Sequence, residues 1–389
     1  MNILELIKDC EVEWKSLGEV ATLQRGRVIS KTYLEENKGD FPVYSSQTQN
    51  NGEIGKINTY DFDGEFVNWT TDGANAGTVF YRKGKFSITN VSGLIVIKNQ
   101  DLLNYKFLYY WLLIEAKKHV YSGMGNPKLM SHQMEKIRIP IPSLEIQEKI
   151  VKILDIFTEL EATLEATLEA ELSLRVKQYD YYRNDLLTFG DDVEWKTLGE
   201  VGELIRGNGL QKKDFTETGV PAIHYGQIYT YFGTFADKTK TFVSADLAKK
   251  LKKAQFGDVL IAGTSENLQD VMKPLGWLGG EIVFSGDMFA FRPNQEINTK
   301  FLTYLLQTED FQKYKERYAQ GTKVIRMKSD NFLKYQIPIP PLATQQKIVE
   351  ILDKFDRLTN SISEGLPKEI ELRRKQYEYY REQLLNFSK

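Results

Sequence analysis

Cysteine is nearly absent from this 389-residue chain. Cys10 stands alone, which excludes an internal disulfide and fits a reducing compartment. Histidine is almost as scarce: His119, His132 and His224 lie apart with no cysteine pair beside them, so no metal ligand set is expected. No apolar run approaches the roughly 20 residues that span a bilayer, and no signal-peptide pattern opens the chain. A cytoplasmic protein with no membrane partner is the expectation. An excess of one charge is lacking too, since the net charge is −2, whereas a free-standing nucleic-acid binder carries surplus positive charge. Basic residues cluster locally instead, at Arg82, Lys83 and Lys85, at Lys117-Lys118-His119, at Lys249, Lys250, Lys252 and Lys253, and at Lys323, Arg326 and Lys328. Each cluster alone reads as solvated surface. Acidic residues concentrate between Glu159 and Glu171, where they can mask a basic face elsewhere.

Catalytic motifs are missing as well. No Gly-x4-Gly-Lys-Ser/Thr loop cradles a phosphate. No Ser or Cys is placed with a His as a nucleophile pair. A methyltransferase needs a Gly-rich cofactor turn and an Asn/Asp-Pro-Pro-aromatic motif; Asn126-Pro127-Lys128 is only a fragment of one. A nuclease needs carboxylates and a nearby Lys around a metal, and isolated Glu-x-Lys spacings are too common to count. No catalytic residue is assigned. The gaps together point to a non-catalytic subunit, against an enzyme of unfamiliar motif or a purely structural assembly protein.

What the chain does have is a duplication. Val12-Glu13-Trp14-Lys15-Ser16-Leu17-Gly18-Glu19-Val20 returns as Val193-Glu194-Trp195-Lys196-Thr197-Leu198-Gly199-Glu200-Val201, and each copy runs on to an Arg-Gly, at Arg25-Gly26 and Arg206-Gly207. Ile139-Pro140-Ile141-Pro142 returns as Ile337-Pro338-Ile339-Pro340, and Lys177-Gln178-Tyr179-Asp180-Tyr181-Tyr182-Arg183 as Lys375-Gln376-Tyr377-Glu378-Tyr379-Tyr380-Arg381. Glu13 and Glu194 are 181 residues apart, whereas Pro140 and Pro338, like Arg183 and Arg381, are 198 apart. The helical parts therefore match without a gap, and the stretches between the Trp and Pro motifs differ by 17 residues. A repeat this large implies two homologous halves with an approximate two-fold relation, a common frame and variable inserts.

The frame is helical. Ile146, Ile150, Ile153, Phe157, Leu160 and Leu164 step by four and three along one apolar seam, which Leu168, Leu172, Val176, Tyr179 and Leu186 extend. Ile348, Ile351, Phe355, Leu358 and Ile362, then Ile370, Tyr377 and Leu384, form its counterpart. The prolines at 140, 142, 338, 340 and 341 end the preceding structure, so each helix starts just after them. At about 40 residues each helix would reach about 60 Å. Pairing the two helices buries a seam of that length, antiparallel because of the pseudo-two-fold; the alternative is that each helix packs on its own domain, against which the unbroken length argues. Leu160 to Ala170 is a tandem four-residue repeat of strong helix formers. Opposite it, Ser363 to Pro367 reads as a stop and restart, with Pro367 in the first turn of a new helix. An α+β fold follows: two mixed α/β domains, residues 1–142 and 190–341, joined by helical spacers at 143–189 and 342–389 that form an antiparallel coiled coil.

In the inserts, residues 66–69, 78–81 and 94–97 of the first half read as strands, with a late helix over 107–120. Residues 258–261, 281–284 and 288–291 of the second half repeat the plan, with a late helix over 301–318. Between them lie loops rich in amide, hydroxyl and aromatic groups. The candidate DNA contacts of the first half are Ser45, Gln47, Gln49, Asn50, Asn51, Thr70, Thr71, Asn75, Asn126 and Lys128. Those of the second are His224, Tyr225, Gln227, Thr264, Ser265, Asn267, Gln269, Lys323, Arg326 and Lys328. Amides suit adenine edges, Arg and Lys suit guanine, and hydroxyls and lysines suit phosphate. The plainer alternative is that such residues simply make turns.

The Trp-Lys-x-Leu-Gly-Glu-Val openings, the Ile-Pro-Ile-Pro motifs followed by Gln147-Glu148-Lys149-Ile150-Val151 and Gln345-Gln346-Lys347-Ile348-Val349, the ends near Phe189 and Phe387 and the central tetrapeptide repeat resemble, over essentially the whole chain, the specificity subunits of type I restriction-modification systems. The resemblance implies two target-recognition domains, each reading half of a bipartite site in double-stranded DNA. It implies a coiled coil that spaces the readers and docks two modification (methyltransferase) subunits, with restriction subunits joining that core. No cofactor is expected on this chain; S-adenosylmethionine, ATP and Mg belong to the partner subunits. In such a family the tetrapeptide repeat, here Leu160 to Ala170, can alter spacer length.

Overall fold

The Trp and Pro motifs, more than 120 residues apart in each half, are strand partners. Glu13–Ser16 pairs antiparallel with Arg138–Ile141, placing Trp14 opposite Pro140, and Trp195–Thr197 pairs with Gln336–Pro338, placing Trp195 opposite Pro338. A two-stranded ladder tolerates the prolines because each strand has a free side. The computed structural model that shows this describes residues 10–123, 125–361 and 364–387. The chain divides into two compact units, Met1–Glu165 with Leu372–Lys389, and Ala166–Glu371.

In the first unit a six-stranded sheet runs in the order Ala21–Arg25, Ser92–Ile97, Phe62–Thr70, Val79–Ile88, Lys38–Tyr44, Glu53–Ile57. Its pairs are antiparallel except Lys38–Tyr44 with Val79–Ile88. The three expected strands lie within this sheet, save Thr78, which stands one residue outside. The late helix is Tyr105–Glu115, prolonged by a 3-10 turn over Ala116–His119. The second unit folds its longer insert as two five-stranded sheets. Gly202–Arg206, Met288–Pro293, Val259–Ala262, Pro274–Trp277 and Phe235–Ala236 form one; Phe215–Thr216, Thr241–Val243, Val220–Ile223, Ile282–Phe284 and Lys253–Ala254 form the other. The single late helix expected over 301–318 is instead two, Thr299–Leu305 and Glu309–Tyr318. Thr308 makes the break: its hydroxyl donates to the Leu305 carbonyl at 2.8 Å and accepts the Phe311 amide at 3.4 Å, so it caps the second helix as the first ends.

After the prolines one helix runs unbroken over Leu144–Leu186, 43 residues, or about 65 Å. Its counterpart is two helices, Leu342–Asn360 and Leu366–Leu384, with Pro367 in the first turn of the latter as expected; Ile362 and Ser363 lie outside the described residues. In the first unit Thr158 bonds Tyr377 at 2.8 Å, the rings of Phe157 and Tyr380 lie 5.9 Å apart, and Glu165 pairs with Arg374. Numbers rise on one helix as they fall on the other, so the pairing is antiparallel. In the second unit Leu168 and Leu172 pack with Leu358, Leu366 and Ile370, and Tyr179 stacks on Phe355.

The seam is narrower than its spacing suggests. Ile150, Tyr179 and Ile348 are buried; Ile146, Ile153, Phe157, Phe355, Leu358 and Tyr377 are half-buried. Leu160, Leu164 and Ile351, expected in the seam, are instead 59%, 37% and 40% exposed. Each four-residue step of the tetrapeptide repeat rotates about 40° on a 3.6-residue helix. The repeat thus carries its leucines off the contact line, which passes through Glu165 to Leu168 and Leu172. Ile351 sits roughly 100° off the face made by Gln345, Ile348, Val349 and Leu352. The helix ends close the units: Leu384, Leu385 and Phe387 enter the first core, and Leu186, Leu187 and Phe189 pack into the second. Of these, Leu187, Leu384, Leu385 and Phe387 are buried, and each fully buried apolar side chain contributes about 1.5–3 kcal/mol.

Candidate nucleic-acid interface

Each half fastens its insert to its long helix with the same polar parts. Gln147, fully buried, accepts the Asn104 amide at 2.9 Å and donates to the carbonyls of Leu102 at 2.9 Å and Pro142 at 2.8 Å. Gln345, also fully buried, accepts the Asn298 amide at 2.8 Å and donates to the carbonyls of Glu296 at 2.8 Å and Pro340 at 2.9 Å. Two turns further on, Asp155 receives Lys106 at 2.6 Å and the Tyr110 hydroxyl at 2.8 Å; Asp353 receives Lys300 at 2.6 Å and Tyr304 at 2.7 Å. Burial and the adjoining carboxylate push both phenols well above their ordinary range. Gln147 and Gln345 stood in the motifs that carry the family resemblance, but none of these residues carried an expected role from sequence. Their signal was present in the repeat: Lys-Phe-Leu-x-Tyr at 106 and 300, and Ile-Leu-Asp at 153 and 351.

The loops gather at one place in each unit. In the first, Ser45 bonds the Thr89 hydroxyl at 2.8 Å, the Thr71 amide bonds the Val91 carbonyl, and Gly73 and Leu129 join the 70–75 loop to the 127–129 segment. Lys128 reaches Asp72 at 3.8 Å. In the second, the Tyr225 amide bonds Ser285 at 3.2 Å, the Tyr229 hydroxyl donates to the Thr264 carbonyl, and Thr264-Ser265 pairs with Ile325–Arg326. A cleft of about 430 Å³ there is lined by Arg206, Thr264, Asp287, Gln320, Arg326 and Lys328. The repeated Arg-Gly belongs to the same end. A Cβ on Gly26 would lie 2.1 Å from the Ile88 carbonyl oxygen, and one on Gly207 2.0 Å from that of Ser285, so only glycine passes there.

Of the candidate contacts, Gln47, Gln49, Asn50, Asn51, Asn126, Lys128, Asn267, Gln269, Lys323, Arg326 and Lys328 are exposed, and Ser45, Asn75, Tyr225 and Gln227 half-buried. Thr70, Thr71, His224, Thr264 and Ser265 are buried, which narrows the expected set. Thr70 donates to the Asn75 carbonyl and Thr71 to Asp72, so both hydroxyls shape their loop. His224 accepts the Gly226 amide at its Nδ1, and burial, with Lys212 nearby, holds its pKa below the usual imidazole range. Several amides also serve the fold. Gln227 accepts the His224 amide and donates to Thr241, Gln47 donates to the Glu53 carbonyl, and Asn267 bonds Asp270 twice. Among the described residues no cluster of His, Cys, Asp and Glu is placed to hold a metal, and no helix is long and apolar enough to cross a membrane.

Comparison with known proteins agrees with this plan. The family model of the type I restriction modification DNA specificity domain matches residues 11–174 and again 190–372. The specificity subunit of the Escherichia coli type I restriction enzyme EcoR124I/EcoR124II is 34% identical over 412 residues, covering 100% of this chain and 98% of its own. A proposed type I specificity subunit of Mycoplasma pneumoniae is 33% identical over 390 residues, 97% of this chain and 98% of that one. A solved structure from a study of type I restriction-modification assembly shares the fold, with a TM-score of 0.69 at 16% identity over 98% of this chain and 99% of that one. On the doubled domain match and the two full-length relatives, the chain belongs to the family of type I restriction-modification specificity subunits.

Proposed function

We propose that each insert reads one half of a bipartite site in duplex DNA, and that the paired helices set the distance between the halves and dock two modification subunits. The observation that carries this reading is the duplication of the anchors beside the divergence of the loops. Equivalent buried glutamines and Lys-Asp-Tyr sets fix each insert to its helix, while the exposed residues differ: four amides from Gln47 to Asn51, with Asn126 and the single cation Lys128, in one half, and two amides, Asn267 and Gln269, with three cations, Lys323, Arg326 and Lys328, in the other. A common mount with different faces suits two readers of different sequence. The chain then acts without chemistry of its own, and S-adenosylmethionine, ATP and Mg act on its partners. Support for docking comes from the repeated Lys-Gln-Tyr-x-Tyr-Tyr-Arg motif, which leaves Tyr181, Tyr182, Tyr379 and Tyr380 exposed on the helices. Two equivalent patches fit two copies of one partner.

The test is single-molecule mapping of methylated adenines in a host carrying this chain with its modification subunits. The expected motif has two short defined halves around an undefined spacer, and replacing Gln47, Gln49 and Asn50 with Ala relaxes one half only. Methyl transfer by the chain alone, given S-adenosylmethionine and DNA, would instead make it an enzyme.

A further inference from the structure

Arg82 is a buried cation that the functional reading does not use. It stands in the strand Val79–Ile88 at 2% exposure, its guanidinium 3.5 Å from the Tyr44 ring centroid and 4.5 Å from that of Phe80. Its Nε donates to Asn68 Oδ1 at 2.8 Å, and Asn68, fully buried, donates onward to Ser92 Oγ at 3.3 Å. One Nη donates to the Asn51 carbonyl at 2.8 Å. The other Nη is buried with no hydrogen-bond partner. Burial draws the guanidinium pKa down to about 10, which still leaves it charged at neutral pH.

Such a group is a poor choice for stability alone. A buried charge with an unmet nitrogen is usually matched or bettered by an apolar side chain of similar volume. What Arg82 does hold is the turn from Ser45 to Gly52. There Asn50, Asn51 and Gly52 have φ of 49°, 52° and 81°, a run of three left-handed residues of which two are not glycine. The turn is closed by the Ser45 amide on the Gly52 carbonyl at 2.9 Å. Arg82 grips the carbonyl in the middle of the run. A Cβ on Gly52 would come within 3.1 Å of its Nη2. The same turn carries the exposed Gln49, Asn50 and Asn51.

We infer that Arg82 is a positioning residue for base discrimination by the first insert: from inside the sheet it holds the left-handed turn that presents Gln47, Gln49, Asn50 and Asn51. This rests on the half-site reading above. Removing the grip lets the turn relax toward right-handed geometry, which scatters its amides, while the second insert is untouched.

The experiment uses the complex assembled with its modification subunits and a panel of duplexes carrying every single-base change in either half. Methylation rates are compared for the wild type, Arg82→Met, Arg82→Lys and Gly52→Ala. Arg82→Met should lower discrimination in one half by about tenfold, the scale of one lost bidentate contact, with the other half unchanged. Arg82→Lys, which keeps the charge and a single donor nitrogen, should restore part of it. Gly52→Ala disturbs the same left-handed turn from the loop side, by crowding Arg82 Nη2 and by straining its own φ of 81°, so it should give the one-half pattern even if Arg82→Met fails to assemble. A merely structural arginine would reduce methylation of all duplexes in proportion. That result, or unchanged discrimination in Arg82→Lys and Gly52→Ala, overturns the role of Arg82 alone. A wild type that reads one uninterrupted sequence overturns the half-site reading and this inference with it.

Discussion

The two inserts are mounted alike and braced differently. Gln147 and Gln345 make the same three hydrogen bonds to within about 0.1 Å, and Asp155 and Asp353 receive the same Lys and Tyr. The loops are held by unrelated means. In the first insert Arg82 grips the Asn51 carbonyl; in the second Lys315, 5% exposed, donates to the carbonyls of Gln269 at 2.7 Å and Val271 at 3.0 Å. One clamp acts from a strand on the 45–52 turn, the other from the helix Glu309–Tyr318 on the 263–271 loop. The two mounts match because each domain meets the same kind of helix. The bracing is free to differ, because each loop presents its own set of side chains.

The largest effect that can break this comparison is loss of a mount. Gln147→Ala leaves a half-buried amide, a half-buried carbonyl and a buried carbonyl unmet, which at about 1–3 kcal/mol for each fully buried group costs up to about 3–9 kcal/mol. Gln345→Ala should cost the same. Thermal or denaturant unfolding of the two variants checks the equality, and a cost confined to one of them would show that the mounts are not equivalent.

Next in size is the brace of the second insert. Burial pushes the Lys315 ammonium down from its ordinary value of 10.5 to about 8. As pH rises the folded protein therefore gives up this proton before the unfolded chain does, and stability is gained between about pH 8 and 10.5. A neutral amine keeps two N–H groups, enough for both carbonyls. Relative to Lys315→Met, the wild type should gain up to about 3 kcal/mol across that window, read as the difference in unfolding free energy at pH 7.5 and 10.5. A flat difference would mean that Lys315 is not held in a dry site.

The smallest expected effect is at the ion pairs. Lys106 and Asp155 are 37% and 38% exposed and Lys300 and Asp353 30% and 23%, so solvent screens them. Asp155→Asn and Asp353→Asn should each lose under about 1 kcal/mol. A much larger loss in either, by the same unfolding assay, would show a mount that depends on charge.

Much of this plan was legible in the sequence, and the reasons are physical. Proline fixes where a helix can begin, so the starts at Leu144 and Leu342 followed from Pro142 and Pro341, and the restart at Leu366 from Gly365 and Pro367. The strands around Trp69, Ile95 and Ile261 followed from short apolar runs between glycines. What escaped depends on three-dimensional context. Leu160 and Leu164 satisfied a heptad on paper, yet a period of four rotates off the seam. Thr308 fits a helical pattern in sequence, and only its hydroxyl, accepting the Phe311 amide, makes it a cap. Thr70, Thr71, Thr264 and Ser265 have the chemistry of contacts, and only burial reveals that they build the loops. Arg82 sat in a basic run that read as surface, because no periodicity marks a cation turned inward.

The most direct test of the central claim removes one tetrapeptide, Leu164 to Thr167, from the long helix and maps methylated adenines again. The loss shortens the helix by about 6 Å and rotates the seam by about 40°. Both half-site sequences should stay as in the wild type while the spacer between them changes. An unchanged spacer, or altered bases within either half, would contradict the proposal that the paired helices set the distance between two separate readers.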